Sequence, residues 1–154
     1  MYSKDESKRL IKEFWILFAR RCEIVPELRF KKKKWVLYDT GLSGIDLKFD
    51  VTRIEALVMI EINSKEEVRR LELFESLLKY KKFVEEGFVC PLTWDFCFVR
   101  ESGQEVCRIY TILPNVDFHC QNQWPDIYNF LIDNMLILEN NFLEIRYVLE
   151  AELY

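Results

Sequence analysis

Hydrophobic and polar positions change period several times along the chain, and each change marks an element. Leu10, Ile11, Phe14, Trp15, Phe18 and Cys22 recur at helical spacing behind the capping-box pair Ser3 and Glu6, which predicts a helix over about residues 4–22 with one wide apolar face. Trp35-Val36-Leu37-Tyr38 reads as a strand, ended by turn residues from Thr40 to Gly44. Ile45, Leu47, Phe49 and Val51 then alternate with Asp46, Lys48 and Asp50, the period of a half-buried antiparallel strand. Ala56 to Ile62 is nearly continuous in apolar residues, so this strand is expected to be central and covered on both faces, with Glu61 as its one charged residue.

Ser64 and Glu67 form a second capping box, and Val68, Leu71, Phe74, Leu77, Leu78 and Phe83 carry a helix over about 65–86, stopped by Gly87. Leu92 to Phe98 and Val106 to Tyr110 flank Glu101-Ser102-Gly103-Gln104, a hairpin whose three-residue bulged turn would set Cys97 opposite Cys107. From Trp124-Pro125-Asp126 helical periodicity runs to the C-terminus, with Asn140-Asn141 as its one point of interruption. The order α-β-β-β-α-β-β-α, without repeat or linker, predicts one α+β domain over residues 1–154, a mixed or antiparallel sheet packed by helices.

Composition narrows the class. Half of the 154 residues are hydrophobic and only four are glycine and four proline, which excludes disorder and allows a core without disulfides or metals. No apolar run reaches the roughly 18 residues of a membrane span and the N-terminus has no signal-peptide core, so a cytoplasmic protein with no membrane partner is expected. Cys22, Cys90, Cys97, Cys107 and Cys120 contain no CxxC pair and are expected to be free thiols, most of them buried.

The net charge of −4 hides an asymmetry: residues 1–34 hold 11 Lys/Arg against 5 Asp/Glu, and the rest 11 against 21. Much of the excess is the basic run Arg29, Lys31, Lys32, Lys33 and Lys34 around Phe30. Such a run tracks a phosphate backbone if it lies beside a groove, and is otherwise a solvated loop that keeps a sheet edge unpaired.

Tyr2-Ser3-Lys4-Asp5-Glu6 leading to Phe14-Trp15, Leu47-Lys48-Phe49 with Arg53, Val58 to Ile62, Trp94 ahead of Cys107-Arg108-Ile109, and Asn122-x-Trp124-Pro125 together resemble the bacterial domain of unknown function 4268 over nearly the whole chain. That resemblance implies a bacterial cytosolic setting and brings no activity to carry over. More distantly, α-β-β-β-α-β resembles the core order of the PD-(D/E)xK nucleases, a fold analogy. It implies an Asp on the second strand and an acidic-x-Lys motif on the third holding Mg²⁺, with the Lys orienting water. Here the third strand offers Glu61-Ile62-Asn63, with Asn63 where the lysine belongs and Lys65 two residues further on.

Register selects the acidic partner. A tight turn at Thr52-Arg53 pairs Asp50 with Glu55 and Asp46 with Met59, leaving Glu61 diagonal to Asp46 at about 7 Å on the same face. A turn one residue longer or shorter would separate them. Asp46 and Glu61 are therefore the candidate metal ligands and catalytic carboxylates, with Asn63 or Lys65 near the water. The other reading makes Glu61 a structural carboxylate paired with Arg53 or Arg108, since a buried charge needs a partner. Asp117-x-His119-Cys120 has ligand types for half a metal site and no second cluster, so it is taken as a loop or cap.

In the C-terminal helix Ile127, Leu131, Met135, Leu138, Phe142, Ile145 and Leu149 step like a coiled-coil seam. Some 30 helical residues span roughly 45 Å, so the end either projects and self-associates through Leu138, Phe142, Ile145 and Leu149, or packs on the sheet after a break. The chain is thus expected to be a non-catalytic binding or interaction module on a nuclease-like α+β fold, self-associating and without a cofactor. The alternatives are a Mg²⁺-dependent nuclease using Asp46 and Glu61, and a nucleic-acid binder using residues 29–34.

Overall fold

The computed structural model describes residues 2–28 and 40–154. The basic run and the strand expected at 35–38 lie outside the described residues, and so does the strand on which the nuclease-like order depended. The described elements are α1 (Lys4–Glu23), β1 (Ile45–Val51), β2 (Glu55–Ile62), α2 (Glu67–Lys79), α3 (Lys81–Val84), β3 (Thr93–Val99), β4 (Glu105–Pro114) and α4 (Trp124–Leu153). They form an α+β fold with one four-stranded antiparallel sheet in the order β1-β2-β4-β3.

Alternation decides which face takes the helices. Ile45, Leu47 and Val51 of β1, Ala56, Val58, Ile60 and Ile62 of β2, and Cys107 and Ile109 of β4 share one face, where they pack with Leu10, Phe14 and Phe18 of α1, Leu73, Phe74 and Leu77 of α2 and the apolar seam of α4. Burial of this kind contributes roughly 25 cal/mol per Å² of apolar surface and is the main force holding the layers together. Direct strand partners point the same way, so the opposite face carries Asp46, Lys48 and Asp50, Leu57, Met59 and Glu61, and Arg108 and Tyr110. As its apolar run predicts, β2 is central and buried on both faces.

The helix ends follow their caps. Ser3 Oγ accepts from Glu6 N at 3.1 Å, the expected start of α1. The second helix differs from expectation: it begins at Glu67 behind Glu66 with no side-chain cap, and it breaks at Tyr80 into α2 and α3. Instead of Ser64 capping the helix, Arg70 fastens its entry by donating to the carbonyls of Ser64 at 3.0 Å and Lys65 at 3.1 Å. Gly87 (φ +85°) makes the expected left-handed exit.

α4 runs unbroken through Asn140-Asn141 over 30 residues. Asn141 is buried, and its Nδ2 donates to the carbonyls of Val84 at 2.9 Å and Glu86 at 2.7 Å, satisfying the end of α3. Asn141→Ala leaves those carbonyls without their donor and is expected to cost about 1–3 kcal/mol. A lower urea midpoint checks this; an unchanged one would show that water replaces the amide freely.

The end of α4 is docked rather than projecting. Arg69 Nη2 donates to Leu153 O at 2.6 Å and its guanidinium lies 4.8 Å from the centre of the Tyr154 ring. Tyr80 donates to Glu152 at 2.7 Å, and the Tyr154 hydroxyl donates to Ser43 O. Leu138, Phe142, Ile145 and Leu149 lie inside the chain's own core, so the seam is used between α4 and the sheet.

Candidate functional site

The strand pairing that builds the polar face is set by one threonine. Thr52 N donates to Glu55 O at 2.9 Å, while Thr52 Oγ1 accepts from Ile54 N at 3.2 Å and Glu55 N at 3.1 Å. The turn is therefore Arg53-Ile54, one residue later than expected, and every pairing moves by two. Asp46 faces Glu61 directly instead of diagonally, and Asp50 faces Leu57 instead of Glu55. A shift of two preserves the face, so the two carboxylates still meet.

Glu61 is 1% exposed and its Oε1 is crowded with donors. Lys48 Nζ lies at 3.0 Å, Asn63 Nδ2 at 3.2 Å, and Arg100 Nη2 pairs with the same oxygen. Burial raises the Glu61 carboxyl, but the bonds from Lys48, Arg100 and Asn63 outweigh it and hold it below the usual carboxylate range. The ion-pair partners are thus Lys48 and Arg100, not Arg53 or Arg108. Arg53 instead meets Asp117 at 3.2 Å, and Arg108 reaches Asp50 at 3.5 Å.

Asn63 ties the expected ligand pair together. Its Nδ2 donates to Asp46 Oδ2 at 2.6 Å as well as to Glu61, so an amide bridges the two carboxylates. Gln104 fixes Asn63 by donating to its carbonyl at 3.2 Å and accepts from Arg100 at 2.8 Å. Lys65 is exposed in the bend before α2, where its carbonyl serves Arg70. Among the described residues, no group of three or more His, Cys, Asp or Glu is placed to hold a metal ion.

A bulge brings in the residue that spacing alone missed. Asp95 pairs with Arg108 but Phe98 pairs with Val106, so β3 carries one extra residue and its alternation flips. Asp95 Oδ1 accepts from Cys97 N at 3.1 Å and braces the bulge. Trp94 and Phe96 meet Phe74 on the core face, whereas Phe98 turns to the polar face, 3.5 Å from its ring centre to the Arg108 guanidinium. The same bulge removes the expected pairing of Cys97 with Cys107. All five cysteines are free; Cys107 is buried, Cys22 half-buried, and Cys90, Cys97 and Cys120 are exposed, contrary to the expectation that most are buried. Burial pushes the Cys107 thiol up to about 11.

These elements enclose a cleft of about 610 Å³, lined by Lys48, Asp50, Arg53, Glu61, Phe98, Arg100 and Arg108 over an apolar floor that includes Met59 and Phe118. Arg108 is its least satisfied cation. Its side chain is only 12% exposed, its Asp50 contact is at the limit of a hydrogen bond, and its buried Nε has no acceptor among the described residues. Burial raises the Asp50 carboxyl, Arg108 offsets part of this, and Glu61 adds to it. A raised acid contributes stability below its unfolded value and loses it as pH rises through the folded one, so charged Asp50 weakens the fold at neutral pH. Asp50→Asn is therefore expected not to lower the unfolding temperature there. A clear drop would make the Asp50–Arg108 pair a net stabiliser.

His119 follows the cleft residue Phe118 in the chain. Its Nε2 lies 2.8 Å from Ser7 Oγ, its ring packs edge-on against Tyr2 and Phe118, and its backbone N donates to Asp117 Oδ1 at 2.8 Å. It ties the β4–α4 loop to α1, a loop role of the kind its sequence context suggested.

A family model described as "Domain of unknown function (DUF4268)" matches residues 10–146. No curated protein and no solved structure matches the chain.

Proposed function

The chain belongs to the DUF4268 family, and we propose that its polar sheet face works by binding rather than catalysis, taking a small ligand that bears an oxyanion into the cleft. Arg108 carries this reading. A guanidinium held over the Phe98 ring, with a long contact to one carboxylate and an empty Nε, is a two-pronged donor awaiting a better acceptor. The other cleft cations already have partners at shorter range: Lys48 and Arg100 on Glu61, and Arg53 on Asp117. A volume of about 610 Å³ lies within the range of small-molecule sites.

The non-catalytic part rests on Glu61. A divalent ion at Asp46 and Glu61 would have to displace Asn63 from both carboxylates and compete with Lys48 and Arg100 for the same oxygen. Labelled single- and double-stranded DNA is therefore expected to stay intact with Mg²⁺ or Mn²⁺. Metal-dependent cleavage lost in Glu61→Gln would overturn this. Binding itself is tested by titrating sulfate, phosphate and short carboxylates while following thermal stability. Stabilisation by at least one of them, lost in Arg108→Met, is the expected result, and no response to any of them would remove the reading.

A further inference from the structure

We propose that Asp50 is the displaceable counter-ion of the cleft: an incoming oxyanion takes over Arg108, and the released Asp50 carboxylate accepts one proton from solvent. The inference rests on the anion-binding reading above and adds how binding is regulated.

Of the carboxylates paired with the cleft's cations, Asp50 is the least committed. Glu61 is held by three side-chain donors and Asp117 by Arg53 and a backbone N–H, whereas Asp50 has the Val51 backbone N–H and, as its one side-chain donor, a guanidinium nitrogen at 3.5 Å. That nitrogen, Nη2, and the empty Nε form one edge of the guanidinium, the edge a tetrahedral or planar oxyanion occupies with two oxygens. Asp50 satisfies half of that edge poorly. A ligand filling both positions gains two charge-assisted bonds and costs the chain one long contact.

The released carboxylate then sits with mixed neighbours. Lys48 on its own strand and Arg53 at the turn favour its charge, as does Arg100 at the hairpin, while Glu61 on β2 and Glu101 at the hairpin turn oppose it and the ligand adds a further negative group. Losing Arg108 removes the largest compensation for burial, so the proton goes to Asp50, whose carboxyl is already raised. The balance is simple: one anion and one proton enter, and no bond within the chain forms or breaks other than the Asp50–Arg108 contact. Binding should therefore tighten as pH falls, by up to about tenfold per pH unit for a single linked proton.

Sulfate is the probe, because its charge is constant across the range. The full chain is titrated calorimetrically from about pH 5 to about pH 8 at fixed ionic strength, in two buffers of different ionisation enthalpy at each pH, which counts protons directly. The expected result is tighter binding at the acid end, with about one proton taken up per sulfate. Asp50→Asn should bind at least as tightly as the wild type does at its acid limit, and with no pH slope.

Binding that disappears in Arg108→Met but carries no proton uptake, or an Asp50→Asn variant that keeps the slope, overturns the counter-ion role and leaves the anion-binding reading standing. No sulfate binding at any pH, or binding indifferent to Arg108→Met, overturns the reading itself. The proton count on the wild-type chain decides the proposal even if a variant does not fold.

Discussion

Truncating Phe142 to alanine is expected to cost about 3–5 kcal/mol of folding stability, the range for removing a fully buried aromatic side chain. Phe142 is 1% exposed at the centre of the α4 seam, in the same core as Leu138, Ile145 and Leu149 and the inner face of the sheet. Close-packed surroundings collapse only partly into the space left, so lost transfer energy and the cavity both count. Urea unfolding measures the loss. Because the residue is buried within one chain, the midpoint should not depend on protein concentration in either form. A midpoint that climbs with concentration in the wild type and falls in the variant would place Phe142 in a contact between subunits.

Replacing Glu61 with alanine is expected to cost about 2–3 kcal/mol, below the usual figure for breaking a buried pair because its partners retain access to water. Lys48 is 42% and Arg100 28% exposed in their side chains, so both can turn outward, while Asn63 keeps Asp46 as its acceptor. The pH dependence has a definite sign. Glu61 is held below its ordinary value in the folded chain, so its contribution is present above about pH 4.3 and is lost as pH falls through the folded value. The gap between wild type and Glu61→Gln should accordingly be widest near neutrality and shrink in acid. A gap of constant size down to the acid limit would mean that the bonds to Glu61 do not favour its charged form.

The family description names no chemistry, and the cleft's own geometry carries the functional reading. Its most informative residues were unevenly visible beforehand. Asp46 and Glu61 could be brought together from the alternation of β1 and the apolar run of β2, because period two survives a turn moved by one residue. Their chemical meaning could not, since it depends on Lys48, Arg100 and Asn63 converging on one oxygen, and Arg100 lies 39 residues away on another hairpin. Arg108 was visible only as a candidate partner for Glu61. Its actual setting, stacked on Phe98 with an empty Nε, follows from the bulge between Asp95 and Phe98, which no turn residue announces. Asp50 was visible only as a polar position of the alternating strand, and it is the coordination of Arg108 that brings it into the site.

Local pattern by itself determined the kind and place of several elements: the capped first helix, the alternating and continuous strands, the glycine-turned hairpin and the long C-terminal helix, because each depends on residues within a turn or two of one another. Tertiary structure decided what those elements do. α4 keeps its helix through Asn141 because the end of α3 needs a donor, its seam faces the sheet because its last turn is fastened to Arg69 and Tyr80, and the carboxylates of the polar face are neutralised by cations from other strands. Such partners are separated by tens of residues, and only the packing of the sheet brings them within the few ångströms over which a charge is satisfied or left open.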